Sequence, residues 1–330
     1  MLFAGLDTHK ESVLLHMIDG RGRMVREERF PTDDMSLLRL AKIVGKAQCV
    51  MEAGSTCYPV YDALTERGIK VKVAHPLLLK SLSGLKKTDK IDARRIARML
   101  KAGIIPEAYI PTKNMRMERD LVNQHIFLVR QRTREINRVR ALLLRYRIKP
   151  KAKSLFGTRA NWLDEAEIPV TIKPLLQQSI EQIRRLREQQ KQVDALIEEQ
   201  ARNNEDAVLL HTIPGVGWFT SYLVSVTVDG VGRFGTAEQL VSYAGLAPRV
   251  YQSGDTKYSG SISKTGRSEL RWALGQCAWI AVGKSRKFRK KYLKLKRKHK
   301  EKKAITAVAR KLLVVMYYML KRREVFDENA

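Results

Sequence analysis

The sequence predicts three successive regions: an α/β N-terminal domain with a mixed sheet and flanking helices, a long helical middle region, and a small, mostly α C-terminal domain. Short β-type runs alternate with amphipathic segments over the first third of the chain. Apolar residues then recur at spacings of three, four and seven, which is typical of long helices. Glycines punctuate shorter helical segments in the last third. We place the domains at residues 1–112, 113–205 and 206–330.

The N-terminal region contains five predicted strands. LFAGL, SVLLHMI and MVREERF come first, and the turn Asp19–Gly22 connects the second run to the third. We expect these three strands to be antiparallel neighbours. AQCVME and KVKVAH alternate with predicted helices near 34–46 and 57–67, so they are expected to lie parallel in the same sheet.

Two long amphipathic helices are predicted in the middle of the chain, one over about 113–146 and one over about 176–197. Pro150, Pro169 and Pro174 lie between them and break the helical pattern. An antiparallel helical hairpin or an oligomerising coiled coil fits this pattern, and ordinary helix packing fits it equally well.

The charge balance indicates a polyanionic partner. The chain has 63 Lys and Arg against 34 Asp and Glu, a formal net charge of +29. Nucleic acid is the expected partner, and a basic ribosome-associated or membrane-surface protein is the alternative. Between Lys284 and Lys303 there are thirteen Lys or Arg and one acid, Glu301. This segment is predicted to lie along a phosphate backbone, unless it is a solvated and partly frayed helix.

Cysteine usage and hydropathy bear on the compartment. Cys49, Cys57 and Cys277 form no CxxC pair, so they predict neither a structural zinc site nor a disulfide framework. The N-terminus reaches a charge by residue 7, and basic residues interrupt the apolar stretch 307–320. No signal peptide or membrane span is predicted, and a reducing cytoplasm is the expected location.

Four carboxylates stand where a metal site is expected. Asp7 ends the first apolar strand in GLDTHK, and Glu52 ends a later strand in CVMEAGST. Asp89 and Asp92 are three residues apart at the start of a predicted helix, which places both on one face. Oxygen ligands suit Mg²⁺, and phosphoryl chemistry benefits from two such ions. Taken singly, each acid also fits a turn, a lysine pair or a helix N-terminus.

Two glycine-containing segments of the last region are candidates for nucleic-acid contacts. Gly215 and Gly217 in IPGVG fit the hairpin of a helix-hairpin-helix module, whose backbone N–H groups approach a phosphate, and equally fit a tight helix–helix turn. YQSGDTKYSGSISKTGR is predicted to be a polar loop, which without further information reads as a flexible connector. The cations available to hold a phosphate there are Arg249, Lys257, Lys264 and Arg267.

The acid motifs GLDTHK, MEAGSTCY and KTDKIDARRIA, with IPGVG, FGTAEQLVSYAGLAPR and SKTG, together resemble the IS110 family of transposases over nearly the whole chain. The resemblance implies a RuvC-like N-terminal domain whose DEDD tetrad consists of Asp7, Glu52, Asp89 and Asp92. It also implies that Ser253, in RVYQSG, is the nucleophile of a C-terminal transposase domain. The serines most easily confused with it are Ser259, Ser261 and Ser263.

This resemblance implies a DNA recombinase of an insertion sequence that cuts and rejoins donor and target DNA. The tetrad is expected to bind Mg²⁺ or Mn²⁺, and Ser253 to form a covalent phosphoester. An element-encoded bridge RNA and a homo-oligomer, dimer or tetramer, are implied as partners, with the acids of one protomer beside the serine of another. Apart from Asp255, the segment around Ser253 has no nearby carboxylate or histidine, so a metal-bound hydroxide or a tetrad acid is the expected base.

Three other functions stay open at this point. A site-specific DNA invertase shares both sets of motifs. A RuvC-like junction nuclease uses the metal site and leaves Ser253 idle. A non-catalytic nucleic-acid-binding protein has structural acids only. The six histidines are scattered without ligand spacing, so none is assigned a catalytic role. The resemblance places the protein in the cytoplasm of a bacterium or archaeon, associated with the nucleoid.

Overall fold

The computed structural model describes residues 1–81, 89–150, 155–156, 162–253 and 256–329. The chain divides into two compact units, Met1–Lys113 and Asn114–Ala330. The division into three domains stays a prediction. Within the described residues, no helix combines the length and the apolar character needed to cross a membrane.

A mixed five-stranded sheet forms the centre of the first unit, in the order β3-β2-β1-β4-β5. β1 is antiparallel to β2, and β2 to β3, whereas β4 runs parallel to β1 and β5 parallel to β4. The predicted sheet is therefore confirmed. The bounds are β1 Phe3–Thr8, β2 Ser12–Ile18, β3 Met24–Pro31, β4 Gln48–Glu52 and β5 Val71–Ala74.

Side-chain hydrogen bonds hold the turn between β2 and β3. Asp19 Oδ1 accepts from the backbone N–H groups of Arg21 and Arg23, each at 2.9 Å. Gly22, at φ +85°, takes the left-handed conformation that closes the turn. This confirms the hairpin that the sequence predicts between the second and third strands.

Helices cover the sheet on both faces. α1 and α2 pack on one face with Leu6 and Met51, and α4 packs on the other with Phe3 and Val50. Alternate residues of β1 and β4 therefore belong to opposite layers, as strand geometry requires. The helices of the first unit are α1 Asp34–Val44, α2 Cys57–Thr65, α3 Pro76–Ser81 and α4 Asp89–Lys101.

The second unit begins with long antiparallel helices. Leu143, near the end of α5, shares a buried cluster with Leu176, near the start of α7, whereas Val122 shares one with Ile197 at the opposite ends. The two helices therefore fold back on each other within one chain. Their part in oligomerisation stays a prediction. The bounds are α5 Lys113–Arg145, the short α6 Trp162–Glu165 and α7 Lys173–Arg202.

Helices that pack mainly around one large apolar core complete the second unit. The last described helix is α13, and the basic segment before it folds as α12 with Phe288 and Tyr292 buried. The alternative of a partly frayed helix is therefore wrong for α12, because aromatic side chains anchor it. The helices are α8 Glu205–His211, α9 Trp218–Val228, α10 Ala237–Tyr243, α11 Ser268–Lys284, α12 Arg286–Lys296 and α13 Glu301–Arg322.

The segment predicted as a polar loop is instead a β-hairpin. β6 covers Pro248–Ser253 and β7 covers Thr256–Ile262, and the strands pair antiparallel in a two-stranded sheet. The loop prediction is wrong because β-branched and aromatic residues recur among the serines and glycines and favour extended backbone. Residues 254 and 255, which connect the strands, lie outside the described residues.

Candidate active site

Asp7 and Glu52 lie at the carboxyl ends of two adjacent parallel strands. β1 pairs with β4 through Leu6 and Met51, so the next residue of each strand emerges at the same end of the sheet. Leu6 and Met51 are buried under α1 and α2. Because side chains alternate along a strand, Asp7 and Glu52 belong to the opposite face, which is the face covered by α4. The structure thus brings two of the four predicted acids together.

Helix α4 crosses that face at Gly5. A Cβ on Gly5 would lie 2.1 Å from the carbonyl oxygen of Ala93, so only glycine allows this approach. Phe3 clusters with Ile96, one turn further along α4. Residues further along β1 therefore face earlier residues of α4. The end of β1 that carries Asp7 thus lies towards the N-terminal turn of α4, which carries Asp89 and Asp92.

Asp92 lies in the first turns of α4 and is already paired. Its Oδ1 is 2.6 Å from Nη2 of Arg95, one turn along the same helix. Asp89 is the first residue of α4, and its side chain lies outside the described residues. Within the described residues, no group of three or more His, Cys, Asp or Glu is placed to hold a metal ion. The four-carboxylate site stays a prediction, although its oxygen donors at the strand ends fit Mg²⁺.

Sequence reasoning missed two side chains that contact this region. His9 Nε2 lies 3.3 Å from Asp7 Oδ2, and its position two residues along the chain is the signal that could have revealed it. The hydroxyl of Thr56 donates to the carbonyl oxygen of Thr8 at 2.9 Å. This bond joins the segment that follows β4 to the end of β1, and so steadies both acid-bearing strand ends.

The candidate nucleophile Ser253 ends β6 and pairs with Thr256 across the hairpin. Its side chain, like those of Lys257 and Ser259, lies outside the described residues. The base of the hairpin is well defined: Ser263 N–H donates to Ala247 O at 2.8 Å. The structure therefore shows how the hairpin is attached, and the role of Ser253 stays a prediction.

Two glycines of the YAGLAP and SKTG motifs allow this attachment. A Cβ on Gly266, at φ +115°, would lie 2.3 Å from Tyr243 O, and one on Gly245, at φ +69°, would lie 2.6 Å from Thr265 O. Arg267 N–H donates to Tyr243 O at 3.0 Å. The segment after β7 is thus held against the end of α10, where any side chain at either glycine would collide with backbone.

The predicted phosphate-holding cations lie around the base of this hairpin. Arg249 is exposed, and its Nη2 donates to Ser263 O at 3.1 Å. Lys264 is exposed and takes the left-handed backbone conformation at φ +57°. Arg267 is also exposed, and its Nε donates to the hydroxyl of Tyr243 at 3.1 Å. Lys257 lies on β7, and phosphate binding by all four residues stays a prediction.

Tyr243, which sequence reasoning did not single out, lies between two arginines. Arg233 lies over the Tyr243 ring at 4.9 Å from its centroid, and Arg267 lies at 6.0 Å. Burial raises the pKa of the Tyr243 phenol, but the charge of Arg267 and hydrogen bonds from both arginines lower it more, so the net pKa is below its usual value. The half-buried Arg119 also interacts electrostatically with this phenol, and partial burial lowers the pKa of that guanidinium.

The glycines of IPGVG have different surroundings. Gly215, at φ +95°, packs against α11, because a Cβ there would lie 2.8 Å from the backbone nitrogen of Ala281. Gly217 is the N-cap of α9 and has open space on its Cβ side. A tight turn between packed helices thus accounts for Gly215, and a phosphate contact at either glycine stays a prediction.

Two family models match the chain. One, described as a transposase and named for the DEDD transposases of IS110, matches residues 4–148. The other, described as the transposase IS116/IS110/IS902 family, matches residues 207–293. The first range contains the four predicted acids and the second contains Ser253. Together with the mixed sheet, the DEDD match confirms the RuvC-like fold expected of the N-terminal unit.

Curated relatives carry related names. A putative transposase, y4qE of Sinorhizobium fredii, is 27% identical over 97% of this chain and 82% of its own length. The transposase for insertion sequence element IS1111A of Coxiella burnetii is 27% identical over 99% of this chain and 91% of its own length. The pilin gene-inverting protein of Moraxella bovis is 40% identical over 38% of this chain and 40% of its own length.

These similarities and the fold agree with each other. The family matches cover both the sheet that carries Asp7 and the hairpin that carries Ser253. Relatives named as transposases align along nearly the full chain, so the agreement is not confined to one motif. The chain therefore belongs to the IS110 family of transposases.

Proposed function

We propose that this chain is a DNA recombinase that moves an insertion sequence by cutting and rejoining strands. In this proposal a divalent metal ion binds at Asp7, Glu52, Asp89 and Asp92, and Ser253 is the nucleophile. The observation that carries the proposal is the placement of Asp7 and Glu52 at adjoining strand ends, on the face crossed by the helix that begins at Asp89.

The acid region supplies ligands and holds them in place. Bound Mg²⁺ or Mn²⁺ would offset the negative charge that develops on a reacting phosphate. Asp7 and Glu52 supply carboxylate oxygens from rigid strand ends, and the Thr56 hydroxyl limits movement of the segment after β4. Arg95 holds Asp92 in place in the structure and would release an oxygen as the metal binds. His9 contacts Asp7 and would orient that carboxylate.

The hairpin supplies the nucleophile and cations. The Ser253 oxygen would bond to phosphorus while the bond from phosphorus to a deoxyribose oxygen breaks, and the serine proton would end on that leaving oxygen. Because the new phosphoester has a similar energy to the old one, attack by a strand end reverses the step and rejoins DNA without another energy source. The exposed Arg249, Lys264 and Arg267 would hold the phosphate from the base of the hairpin.

A guide RNA and an oligomer belong to this proposal. The family resemblance implies an element-encoded bridge RNA, and the net charge of +29 gives the chain the capacity to bind RNA together with DNA. Recombination acts on two strands at each of two sites, which favours a symmetric assembly over a monomer. The long α5–α7 pair offers exposed surface for self-association.

The test is recombination between supercoiled donor and target plasmids with Mg²⁺ and RNA transcribed from the flanks of the element. Wild type is compared with Asp7→Ala and Ser253→Ala, and denaturing gels reveal protein–DNA adducts. Ser261→Ala is the matched control, because Ser261 is exposed on the same hairpin. We expect both active-site variants to lose recombination, and the adduct to require Ser253.

Other outcomes separate the alternatives. Full recombination by Ser253→Ala would contradict the serine mechanism, and metal-dependent cutting without rejoining would indicate a junction nuclease. DNA binding that needs neither metal nor Asp7, with no cutting or rejoining by the wild type, would favour a non-catalytic binding protein. Loss of activity on omitting the RNA would support RNA guidance.

A site-specific DNA invertase is the second candidate function. It is favoured by the 40% identity to the pilin gene-inverting protein over 129 residues, which exceeds the identity to either longer relative above. An invertase acts on fixed inverted sites within one molecule. A plasmid that carries the flanking sequences in inverted orientation would distinguish the two: inversion without intermolecular insertion would favour the invertase.

A further inference from the structure

The exposed face of helix α5 carries a row of arginines. Val139 and Leu143 of this helix belong to a buried cluster shared with α7, whereas Arg134, Arg138 and Arg145 are exposed. Residues four and seven positions apart lie on the same face of a helix, so these three side chains project together on the side away from α7. Arg134, Arg138 and Arg145 thus form an arginine stripe.

The arginine stripe has little negative charge to balance it. Residues 130–145 contain six arginines and one acid, Glu135. Glu135 lies 3.9 Å from Arg138, and within the described residues neither Arg134 nor Arg145 pairs with a carboxylate. Like charges four residues apart destabilise a helix. The stability of α5 therefore does not explain why these arginines share one face.

The partner helix α7 has a different charge balance. It contains six basic and five acidic residues, which pair along its exposed surface. Arg185 contacts Glu181 at 3.2 Å, and Lys191 contacts Glu188 at 2.9 Å. The excess positive charge therefore belongs to one face of one helix, rather than to the helical pair as a whole. The net charge of the chain alone does not account for this difference.

One end of the stripe lies near the base of the serine hairpin, formed by β6 and β7. Arg130, one turn before Arg134, contacts Glu269 at 3.1 Å. Glu269 is two residues after Arg267, whose backbone N–H is bonded to the end of α10. From this end the stripe extends along α5, and Arg134 and Arg145 are about 16 Å apart at 1.5 Å per residue.

We propose that the arginine stripe binds the phosphates of duplex DNA next to the cleavage site. Because α5 packs against α7 at both ends, it presents its cations in a fixed row. A duplex is stiff over this distance and holds its phosphates in a fixed array. A single strand instead follows cations in many arrangements and gains from aromatic side chains on which bases stack. The choice of DNA over RNA rests on the proposed function, because the strands that recombine are DNA.

Photo-crosslinking tests the location of the DNA. Ala141 is exposed within the stripe, and Ala141→Cys can be labelled with benzophenone maleimide, because the three native cysteines are buried. The probe is a fluorescein-labelled 30-base-pair DNA duplex that spans one end of the element. We expect labelled Ala141→Cys to crosslink to this duplex. Ala195→Cys, at an exposed position of α7, is the matched control and is expected to give no crosslink above background.

The salt dependence of binding tests the cations themselves. Each phosphate contact contributes about 0.9 to the slope of log affinity against log salt concentration, so Arg134→Gln with Arg138→Gln should lower that slope by about 1.8. Arg134→Lys with Arg138→Lys keeps the charge and should keep the slope. Arg184→Gln with Arg185→Gln removes the same charge from the exposed surface of α7 and should leave the slope unchanged. Fluorescence anisotropy with the same duplex measures all three variants.

Four results would overturn the inference. They are equal crosslinking from Ala141→Cys and Ala195→Cys, an unchanged slope for Arg134→Gln with Arg138→Gln, and a lower slope seen only with an RNA duplex or with (dT)30. The fourth is a lower molar mass of that glutamine variant in light scattering, which would assign the stripe to contacts between copies of the chain. Binding is measured without recombination, so the two proposals fail separately. A chain inactive in recombination that still shows both effects of the stripe would contradict only the proposed function.

Discussion

The sheet that carries Asp7 and the base of the hairpin that carries Ser253 each contain a glycine packed against the backbone of a distant segment. The two regions differ in what surrounds that glycine. Gly5 lies in β1 at the centre of a five-stranded sheet, and Asp7 is two residues further along the same strand. Gly266 secures only the base of a two-stranded hairpin, and Ser253 ends a strand at the opposite end of it. A two-stranded hairpin has little stability of its own. The strand that carries Asp7 is thus held by a neighbouring strand on each side, whereas the hairpin that carries Ser253 depends on the contacts at its base.

The largest effect on recombination is expected from Asp7→Asn, which removes the negative charge of the side chain and keeps its shape. Recombination should fall by at least about a thousandfold, because the proposed metal site would lose one of its charged ligands. Stability should stay nearly unchanged, because Asp7 lies at the end of its strand outside the buried clusters. Plasmid recombination and urea unfolding measure the two effects. A variant that unfolds would show that Asp7 is structural.

Gly5→Ala tests the acid region by displacing α4, and with it Asp89 and Asp92, while no predicted ligand is itself substituted. The added Cβ would meet Ala93 O at 2.1 Å and Ala97 N at 2.9 Å, both backbone atoms. We expect a loss of about 3 kcal/mol in the free energy of unfolding, with loss of recombination. Gly20→Ala is the control, since its nearest atom would be 3.9 Å away. Equal stability of the two variants would contradict the close approach of α4.

The sequence predicts most of the acid region, because local pattern decides it. Alternating apolar residues and the Asp19 turn give the strands, and a parallel pairing then places Asp7 and Glu52 at one edge. What sequence pattern misses is contact between distant residues. Nothing near Gly5 in the sequence reveals that Ala93 lies against it, because the two residues are 88 positions apart in the chain.

The serine region is less predictable for a related reason. Its serines and glycines are typical of loops, although strand-forming residues lie among them. The pairing of β6 with β7 stabilises the extended backbone, and composition does not reveal that pairing. Tyr243 looks like an ordinary helical residue in YAGLAP. Its place between Arg233 and Arg267 depends on a turn 24 residues away, which side-chain periodicity does not encode.

Gly266→Ala tests whether the hairpin base positions the serine. Alanine at this position would be strained, because its φ of +115° disfavours L side chains. Its Cβ would also lie 2.3 Å from Tyr243 O. We expect about 2 kcal/mol of destabilisation, and a fall in the Ser253–DNA adduct while the helical core stays folded. Gly283→Ala in α11, where a Cβ meets open space, is expected to stabilise by about 0.5–1 kcal/mol. Normal adduct yield by Gly266→Ala would show that the hairpin base does not position the serine.

The smallest effect is expected from Tyr243→Phe, which removes only the hydroxyl that accepts from Arg267 at 3.1 Å. At pH 7 we expect a loss of about 1–2 kcal/mol, as for one hydrogen bond to a charged group. The arginines lower the pKa of the folded phenol below its usual value, so the folded state releases this proton before the unfolded state does. The stability advantage of the wild type over Tyr243→Phe should therefore grow as pH rises through the folded pKa towards 10.

Urea unfolding at pH 7 and pH 9.5 measures this growth, with Tyr318→Phe as the control at pH 7. Tyr318 is 44% exposed, and its ring lies under Arg322 rather than between two arginines. A constant difference between wild type and Tyr243→Phe at both pH values would mean that the phenol keeps its ordinary pKa. The Arg267–Tyr243 pair would then contribute a hydrogen bond and no additional charge interaction at high pH. A growing difference would mean that the Arg267–Tyr243 pair adds a charge interaction to the attachment of the serine hairpin.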